Sequence, residues 1–87
     1  MSLGVINDVQ ANICNLVASI ATQKPVTVVY TDLDGVTSIR LVQPRSIFRS
    51  LNEQTTVEAF DLNRQAVRHF RITSFGFVGG PGEEVSI

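Results

Sequence analysis

Apolar side chains near the N-terminus recur with helical spacing. Between residues 5 and 23 they are three or four positions apart, which places them on one stripe of an amphipathic helix. The stripe consists of Ile6, Val9, Ile13, Leu16 and Ile20. The opposite side carries the polar residues Asn12, Asn15, Ser19 and Gln23. Because Pro25 cannot continue a helix, we expect the stripe to end there and to pack on the elements that follow. Pairing of stripes between subunits is the alternative.

From Val26 onward the pattern changes to that of short β-strands. Residues 26–31 are rich in β-branched side chains, and the Asp-Leu-Asp-Gly sequence that follows supplies the residues of a reversing turn. Polar, Gly-containing or Pro-containing breaks separate the later apolar runs. Strands are predicted at residues 26–31, 36–42, 45–49, 55–61 and 66–73, with a short extension at 74–78.

Five short antiparallel strands are too few for an ordinary sandwich. Closure into a small barrel would remove the exposed strand edges, and the helix would cover one end. The sequence therefore predicts a mainly β fold with an N-terminal helix and a five-stranded antiparallel barrel. We expect the helix in residues 1–24, the barrel in residues 25–78 and a Gly-rich, acidic tail in residues 79–87.

The composition is that of one small folded domain. With 87 residues, of which 44% are hydrophobic and 17% charged, the chain is near the size at which a single core is marginal, so we expect a homo-oligomer. The single cysteine, Cys14, lies in the apolar helical pattern and is expected to be a buried core thiol. Because there is neither a signal peptide nor an apolar run of about 18 residues, we expect a cytoplasmic protein without a membrane segment.

The net charge of -1 conceals a basic middle segment. Residues 40–71 contain six arginines against three carboxylates, whereas residues 1–39 and 72–87 are acidic. The planar guanidinium group suits phosphate recognition and stacks on aromatic rings or bases. An arginine-rich segment therefore favours an anionic ligand, and solvated or ion-paired arginines are the alternative.

Strand alternation sorts the cations of the last predicted strand onto two faces. Phe70 points inward, so Arg68 lies on the same core side near the barrel rim, while His69 and Arg71 point outward. A rim arginine needs an anion because an unpaired buried charge is costly. That anion is either a ligand or Asp61, which lies across the preceding turn.

Arg40 belongs to the second predicted strand. Its apolar neighbours Ile39 and Leu41 point together, and Arg40 faces the other way. Arg40 can therefore join Arg71 if the two strands are close, and the register between the strands decides whether they meet.

Residues for catalysis or metal binding are not in a recognisable arrangement. His69 is the single histidine, and no Ser or Cys stands in a nucleophile setting beside it, so we do not expect an enzyme. Asp32 and Asp34 resemble the start of a calcium loop, but Gly35 follows too early and no Glu follows at the required distance. The segment is therefore predicted to be a hairpin turn, and we expect neither a metal nor a cofactor.

Four segments together resemble the WYL domain, a ligand-sensing domain of bacterial transcription regulators. They are VTVVYTDLDG, RLVQPRSIF, VEAFD and AVRHFRI, within residues 24–77. The resemblance implies an Sm-like small barrel that binds a nucleotide or a piece of nucleic acid through basic residues. By position it implies a ligand-facing set of Tyr30, Arg40, Arg68 and Arg71. Arg45, Arg49 and His69 are further accessory candidates among the basic residues.

The chain departs from that family at two places. The Trp-Tyr-Leu triplet that names the family falls on Thr55, Thr56 and Val57, and the usual Asp-Arg after the last strand is Thr73 and Ser74. Since the chain has no Trp and one Tyr, the aromatic stacking that accompanies binding of single strands is reduced.

The sequence leaves two hypotheses from different classes. The first is a non-enzymatic, WYL-like regulatory domain that binds single-stranded nucleic acid or a nucleotide, weakly and with strong salt dependence, and reports to a transcription-regulator partner. The second is an oligomerisation or protein-interaction module whose ligand site has decayed and whose arginines form salt bridges.

Overall fold

The computed structural model describes residues 9–82. In this range a helix precedes five antiparallel strands, and a 3-10 helix joins the last two. The elements are α1 (Val9–Thr22), β1 (Val26–Thr31), β2 (Thr37–Arg49), β3 (Thr55–Asp61), β4 (Ala66–Arg71), the 3-10 helix (Ile72–Ser74) and β5 (Phe75–Val78). The predicted mainly β fold with an N-terminal helix is confirmed. Residues 1–8 and 83–87, which include the predicted helix start and part of the predicted tail, lie outside the described residues.

Two predicted strands, 36–42 and 45–49, are one continuous strand, β2. A bulge between Pro44 and Ser46 lets the strand pass through the proline, which has no N–H to give to the ladder. The first half of β2 pairs with β1, and the second half pairs with β3. The predicted break at Pro44 is therefore a bulge within a strand.

Asp32 and Gly35 close the turn between β1 and β2. The Asp32 carboxylate accepts hydrogen bonds from the backbone N–H groups of Asp34 and Val36, both at 2.9 Å. Gly35 has a φ of 83°, a conformation that glycine reaches without steric cost. The predicted hairpin turn is confirmed, and its carboxylate is engaged by the backbone of the turn itself.

The sheet is open, so the predicted closure into a barrel is wrong. Its strand order is β4-β3-β2-β1-β5, and within residues 9–82 no ladder joins the edge strands β4 and β5. Asn12 donates a hydrogen bond to the Phe75 carbonyl at 3.4 Å and accepts one from the Val78 N–H at 3.1 Å. Asn15 donates to the Val78 carbonyl at 2.9 Å. Side chains of α1, rather than β4, satisfy the free edge of β5.

The helix consequently packs against the sheet partly through residues that the sequence pattern assigned to its polar side. Asn12 and Ser19 are buried together with Leu16, whereas Val9 of the predicted apolar stripe is exposed. Cys14 is exposed as well, so the expected buried thiol is wrong. Hydrogen bonds to the backbone of β5 orient the helix, and hydrophobicity alone does not predict that orientation.

The hydrophobic core lies between α1 and one side of the sheet. Its buried members are Leu16, Val26, Val28, Val42, Val57, Ala59, Phe70, Ile72, Phe75 and Val78. We call this side of the sheet the inner face. The outer face is the opposite side, and the strand register places on it Ile39, Leu41, Phe60, Val67, His69 and Arg71.

Candidate anion-binding site

Two arginines and one carboxylate meet on the inner face. The register pairs Arg40 with Val28 and Arg68 with Ala59, both of which are core residues. Arg40 Nη1 lies 2.8 Å from Asp61 Oδ2, and Arg68 Nη1 lies 3.7 Å from the same oxygen. One carboxylate therefore faces two guanidinium groups. We call Arg40, Asp61 and Arg68 the inner cluster.

The position of Arg40 follows from the exposure of its neighbours. Ile39 and Leu41 lie on the outer face with 54% and 40% of their surface exposed, which turns Arg40 inward. The apolar residues next to Arg40 do not indicate which face is the core, because β2 carries apolar residues on both faces. Of the two anions considered for Arg68, Asp61 lies within ion-pair distance, and Arg40 is a second partner of Asp61 that the pattern did not reveal.

Asp61 is fully buried and remains ionised. Its other oxygen, Oδ1, accepts hydrogen bonds from the backbone N–H groups of Asn63 at 3.0 Å and Arg64 at 3.2 Å. Burial acts to raise the pKa of Asp61, but the Arg64 N–H, the hydrogen bond and charge of Arg40, and the Asn63 N–H together lower it by more. The pKa of Asp61 lies below the ordinary value of 3.8, so the carboxylate is charged at neutral pH.

The inner cluster has more positive than negative charge. Arg40 is well satisfied, because it also donates from Nε to Ser38 Oγ at 3.2 Å. Arg68 is not, because its distance to Asp61 is too long for a hydrogen bond. The buried Arg68 Nη1 has no hydrogen-bond partner in the described part of the chain. A buried donor of this kind favours an additional acceptor.

Aromatic rings lie against the same cluster. The Arg68 Cζ is 5.4 Å from the centre of the Phe70 ring, within cation–π range. Tyr30 contacts Phe70 edge to face, with ring centroids 4.8 Å apart, and it lies opposite Ser38 in the ladder. The Arg40 and Arg68 side chains keep 15% and 31% of their surface exposed. Part of each side chain is therefore open to solvent, although the Arg68 Nη1 atom itself is buried.

Arg71 lies on the outer face, apart from the other three predicted site residues. It is exposed and lies opposite Thr56. On the same face His69 Nε2 is 3.4 Å from Glu58 Oε1, and the His69 ring is 5.9 Å from that of Phe48. The structure brings together three of the four residues predicted to face a ligand and leaves Arg71 out.

The accessory arginines lie away from the inner cluster. Arg45 is in the bulge of β2, with its Cζ 5.5 Å from the centre of the Phe60 ring. Arg49 pairs with Glu53 at 3.7 Å, and both side chains are largely exposed. An open cleft of about 380 Å³ is lined by Ile20, Gln23, Gln43, Pro44 and Arg45. One cation borders this cleft, whereas two meet in the inner cluster.

Nowhere in residues 9–82 do three or more His, Cys, Asp or Glu side chains come together in a way that could hold a metal ion. Across the same residues, α1 included, no helix is both long and apolar enough to cross a membrane.

Comparisons with known proteins place the fold. The sequence matches the family model of the WYL domain over residues 11–76. The solved structure of the proteasome accessory factor B/C (PafBC) of Arthrobacter aurescens is similar in fold, with a TM-score of 0.77 and 21% sequence identity. The similarity covers 99% of this chain but 13% of that chain, so this chain spans a small part of PafBC. No curated protein matches the sequence significantly.

Proposed function

This chain belongs to the WYL domain family, and we propose that it is a regulatory, non-enzymatic sensor domain that binds an anionic ligand on its inner face. Arg40 and Arg68 bind the anion, and Tyr30 orients it. The ligand is single-stranded nucleic acid or a nucleotide, because both present phosphate oxygens that match the guanidinium fork.

One observation carries the proposal: the buried Nη1 of Arg68 has no hydrogen-bond partner in residues 9–82. Leaving a buried donor unsatisfied costs about 1–3 kcal/mol. Once the partly exposed Arg68 side chain turns toward solvent, a phosphate oxygen that accepts from this nitrogen removes that cost and neutralises the excess positive charge of the inner cluster. A solvated or fully ion-paired arginine would offer a ligand no such gain.

Ligand binding would be transmitted through the contacts of Arg68. Its guanidinium lies over Phe70, and Phe70 packs against Tyr30 and Phe75 at the centre of the core. A ligand shifts a conformational equilibrium only by its differential affinity for the two states. We propose that the phosphate draws Arg68 away from Asp61 and repositions β4, which a transcription-regulator partner senses.

The affinity for single-stranded nucleic acid is expected to be modest and sensitive to salt. Base stacking supplies about 1–3 kcal/mol per base where exposed rings are present, and Tyr30 is half-buried against Phe70 and Phe75. Most of the binding free energy would therefore come from phosphate contacts, which weaken as salt rises.

The test is fluorescence anisotropy with a labelled, mixed-sequence single-stranded oligonucleotide, and with unlabelled ATP as competitor. Arg68→Ala is compared with Arg71→Ala, which removes the same side chain from the same strand on the opposite face. We expect Arg68→Ala to weaken binding about tenfold and to reduce the salt slope by about 0.7. Arg71→Ala should change either quantity much less.

Two results would contradict the proposal. Equal losses in Arg68→Ala and Arg71→Ala would mean that general charge, rather than the inner cluster, attracts the oligonucleotide. Absence of binding at tens of micromolar, for both the oligonucleotide and ATP, would remove the ligand site altogether. Circular dichroism of each variant controls for unfolding.

A second candidate function is self-association through the outer face. Ile39, Leu41 and Val67 on this face are 54%, 40% and 44% exposed. Apolar patches of this kind often mark interaction surfaces. Gel filtration at low and high salt tests the idea: a salt-independent dimer or larger assembly without nucleic-acid absorbance supports it, and a monomer at both salt concentrations contradicts it.

A further inference from the structure

We propose that Asp61 is a built-in competitor of the ligand, whose carboxylate holds the two arginines and thereby sets the affinity of the site. The inference rests on the proposed anion-binding function. It assigns a regulatory role to a residue that does not itself contact the ligand. Asp61 is a positioning residue that acts through Arg40 and Arg68.

The two oxygens of Asp61 have separate tasks. Oδ1 accepts the backbone N–H groups of Asn63 and Arg64 and so shapes the turn after β3. Oδ2 faces the guanidinium groups of Arg40 and Arg68. Because different oxygens contact the turn and the arginines, a substitution can remove the negative charge of Asp61 and still keep an oxygen that accepts from the turn.

The two arginines are held unequally. Arg40 makes a hydrogen bond of 2.8 Å to Asp61 and a second one to Ser38, so it stays in place. Arg68 is 3.7 Å from the carboxylate and makes no hydrogen bond to it. An incoming phosphate therefore takes Arg68 first, and it competes with a carboxylate that is already buried beside both cations.

The burial of Asp61 strengthens its competition with the ligand for the two arginines. Asp61 is fully shielded from water, and charges interact more strongly in the interior than at the surface. The carboxylate cancels part of the positive potential that the ligand would meet. The site thus favours ligands with more negative charge than one carboxylate, such as phosphate groups, over simple carboxylic acids.

The test is the Asp61→Asn substitution. The amide oxygen can still accept from Asn63 and Arg64, but the amide nitrogen cannot accept from Arg40, so both guanidinium groups are released. Glu58→Gln is the matched control, since it makes the same charge change on the same strand on the outer face, where Glu58 faces His69. Both variants and the wild type are titrated with the labelled oligonucleotide and with inorganic pyrophosphate.

We expect Asp61→Asn to bind both probes about tenfold more tightly than the wild type, with the oligonucleotide salt slope steeper by about 0.7 for each released arginine. Glu58→Gln should resemble the wild type. If Asp61→Asn binds no more tightly than Glu58→Gln while the wild type binds, the competitor role is overturned and the anion site stands. If no protein binds either probe, both proposals are overturned.

A folding defect in Asp61→Asn would be detected by circular dichroism, and two measurements keep the proposal testable in that case. Asp61→Ser also removes the charge and retains an oxygen that accepts from the turn. In the wild-type protein, the carbon-13 NMR signal of the Asp61 carboxylate should shift when pyrophosphate is added, because Arg68 leaves it. An unchanged signal at saturating pyrophosphate would overturn the competitor role.

Discussion

The two faces of the sheet carry similar residues in different surroundings. On the inner face, Arg68, Asp61 and Phe70 lie together, with the carboxylate fully buried. On the outer face, His69, Glu58 and Phe48 form a comparable group, but His69 and Glu58 keep 59% and 35% of their side-chain surface exposed. A basic group, a carboxylate and a ring are therefore present on both sides.

The difference between the faces lies in what covers them. The carboxylate of the inner group is shielded from water beside the core, whereas no described element covers the outer group. An exposed ion pair contributes about 0–1 kcal/mol to stability. A buried pair interacts more strongly, but any buried charge that is not fully compensated destabilises the fold. Burial, rather than residue type, makes the inner cluster a candidate site.

The largest expected effect separates the two faces by packing. Phe70→Ala should lower the free energy of unfolding by about 3–5 kcal/mol, because Phe70 is buried among Tyr30 and Phe75. Phe48→Ala on the outer face should cost less than about 1 kcal/mol, since Phe48 is 41% exposed. Urea unfolding measures both, and equal losses would show that the outer face is also packed in solution.

A smaller effect is expected where α1 covers the edge of β5. Asn12→Ala leaves the Phe75 carbonyl and the Val78 N–H without their partner, which should cost about 1–3 kcal/mol. Alanine favours helix, so a loss cannot come from helix propensity. Gln10→Ala, an exposed change in the same helix, is the control. Similar unfolding midpoints for the two variants would mean that the asparagine does not hold the edge.

Asp61 on the inner face should make the free energy of unfolding depend on pH in the acid range. The pKa of Asp61 is lower in the folded than in the unfolded chain, so the unfolded chain takes up the proton first as the pH falls. The stabilisation by Asp61 is then complete above about pH 4 and is lost as the pH falls through the lowered pKa. Unfolding free energies measured between neutral and acid pH should fall less steeply in Asp61→Asn than in Glu58→Gln. Parallel curves would contradict this assignment.

The smallest effect concerns the exposed apolar residues of the outer face. Ile39→Thr should change the free energy of unfolding of the monomer by no more than about 0.5 kcal/mol, since Ile39 is largely exposed. If the outer face mediates self-association, the same change should shift the protein toward monomer in gel filtration. A loss of stability of several kcal/mol in a strictly monomeric protein would show that Ile39 belongs to a core.

Local sequence patterns were sufficient for most of the elements. The strands at 26–31 and 55–61, the turn at Gly35 and the inward direction of Arg68 follow from β-branched runs, turn residues and alternation along one strand. Each of these properties depends on residues close together in the chain. Patterns of this kind need no knowledge of the strand register.

Several features of the tertiary structure did not follow from the sequence pattern, for related reasons. Ile39 and Leu41 are apolar yet exposed, so the pattern did not reveal that Arg40 meets Asp61 rather than Arg71. Asn12 is polar yet buried, because the free edge of β5 supplies its hydrogen bonds. The hydrogen bonds from α1 to the edge of β5 also take the place of the pairing between β4 and β5 that would have closed a barrel. In each case, a segment distant along the chain decided the outcome.

The sequence by itself determined the mainly β fold with its N-terminal helix, most element boundaries and the arginine-rich segment, because these are encoded by neighbouring residues. Tertiary structure alone decided that Arg40 and Arg68 share one buried carboxylate and that Arg71 lies on the other face. The reason is physical. Asp61 lies between the two arginines only when β2, β3 and β4 pair in this register. Arg68 Nη1 then lacks a hydrogen-bond partner because it is buried away from water.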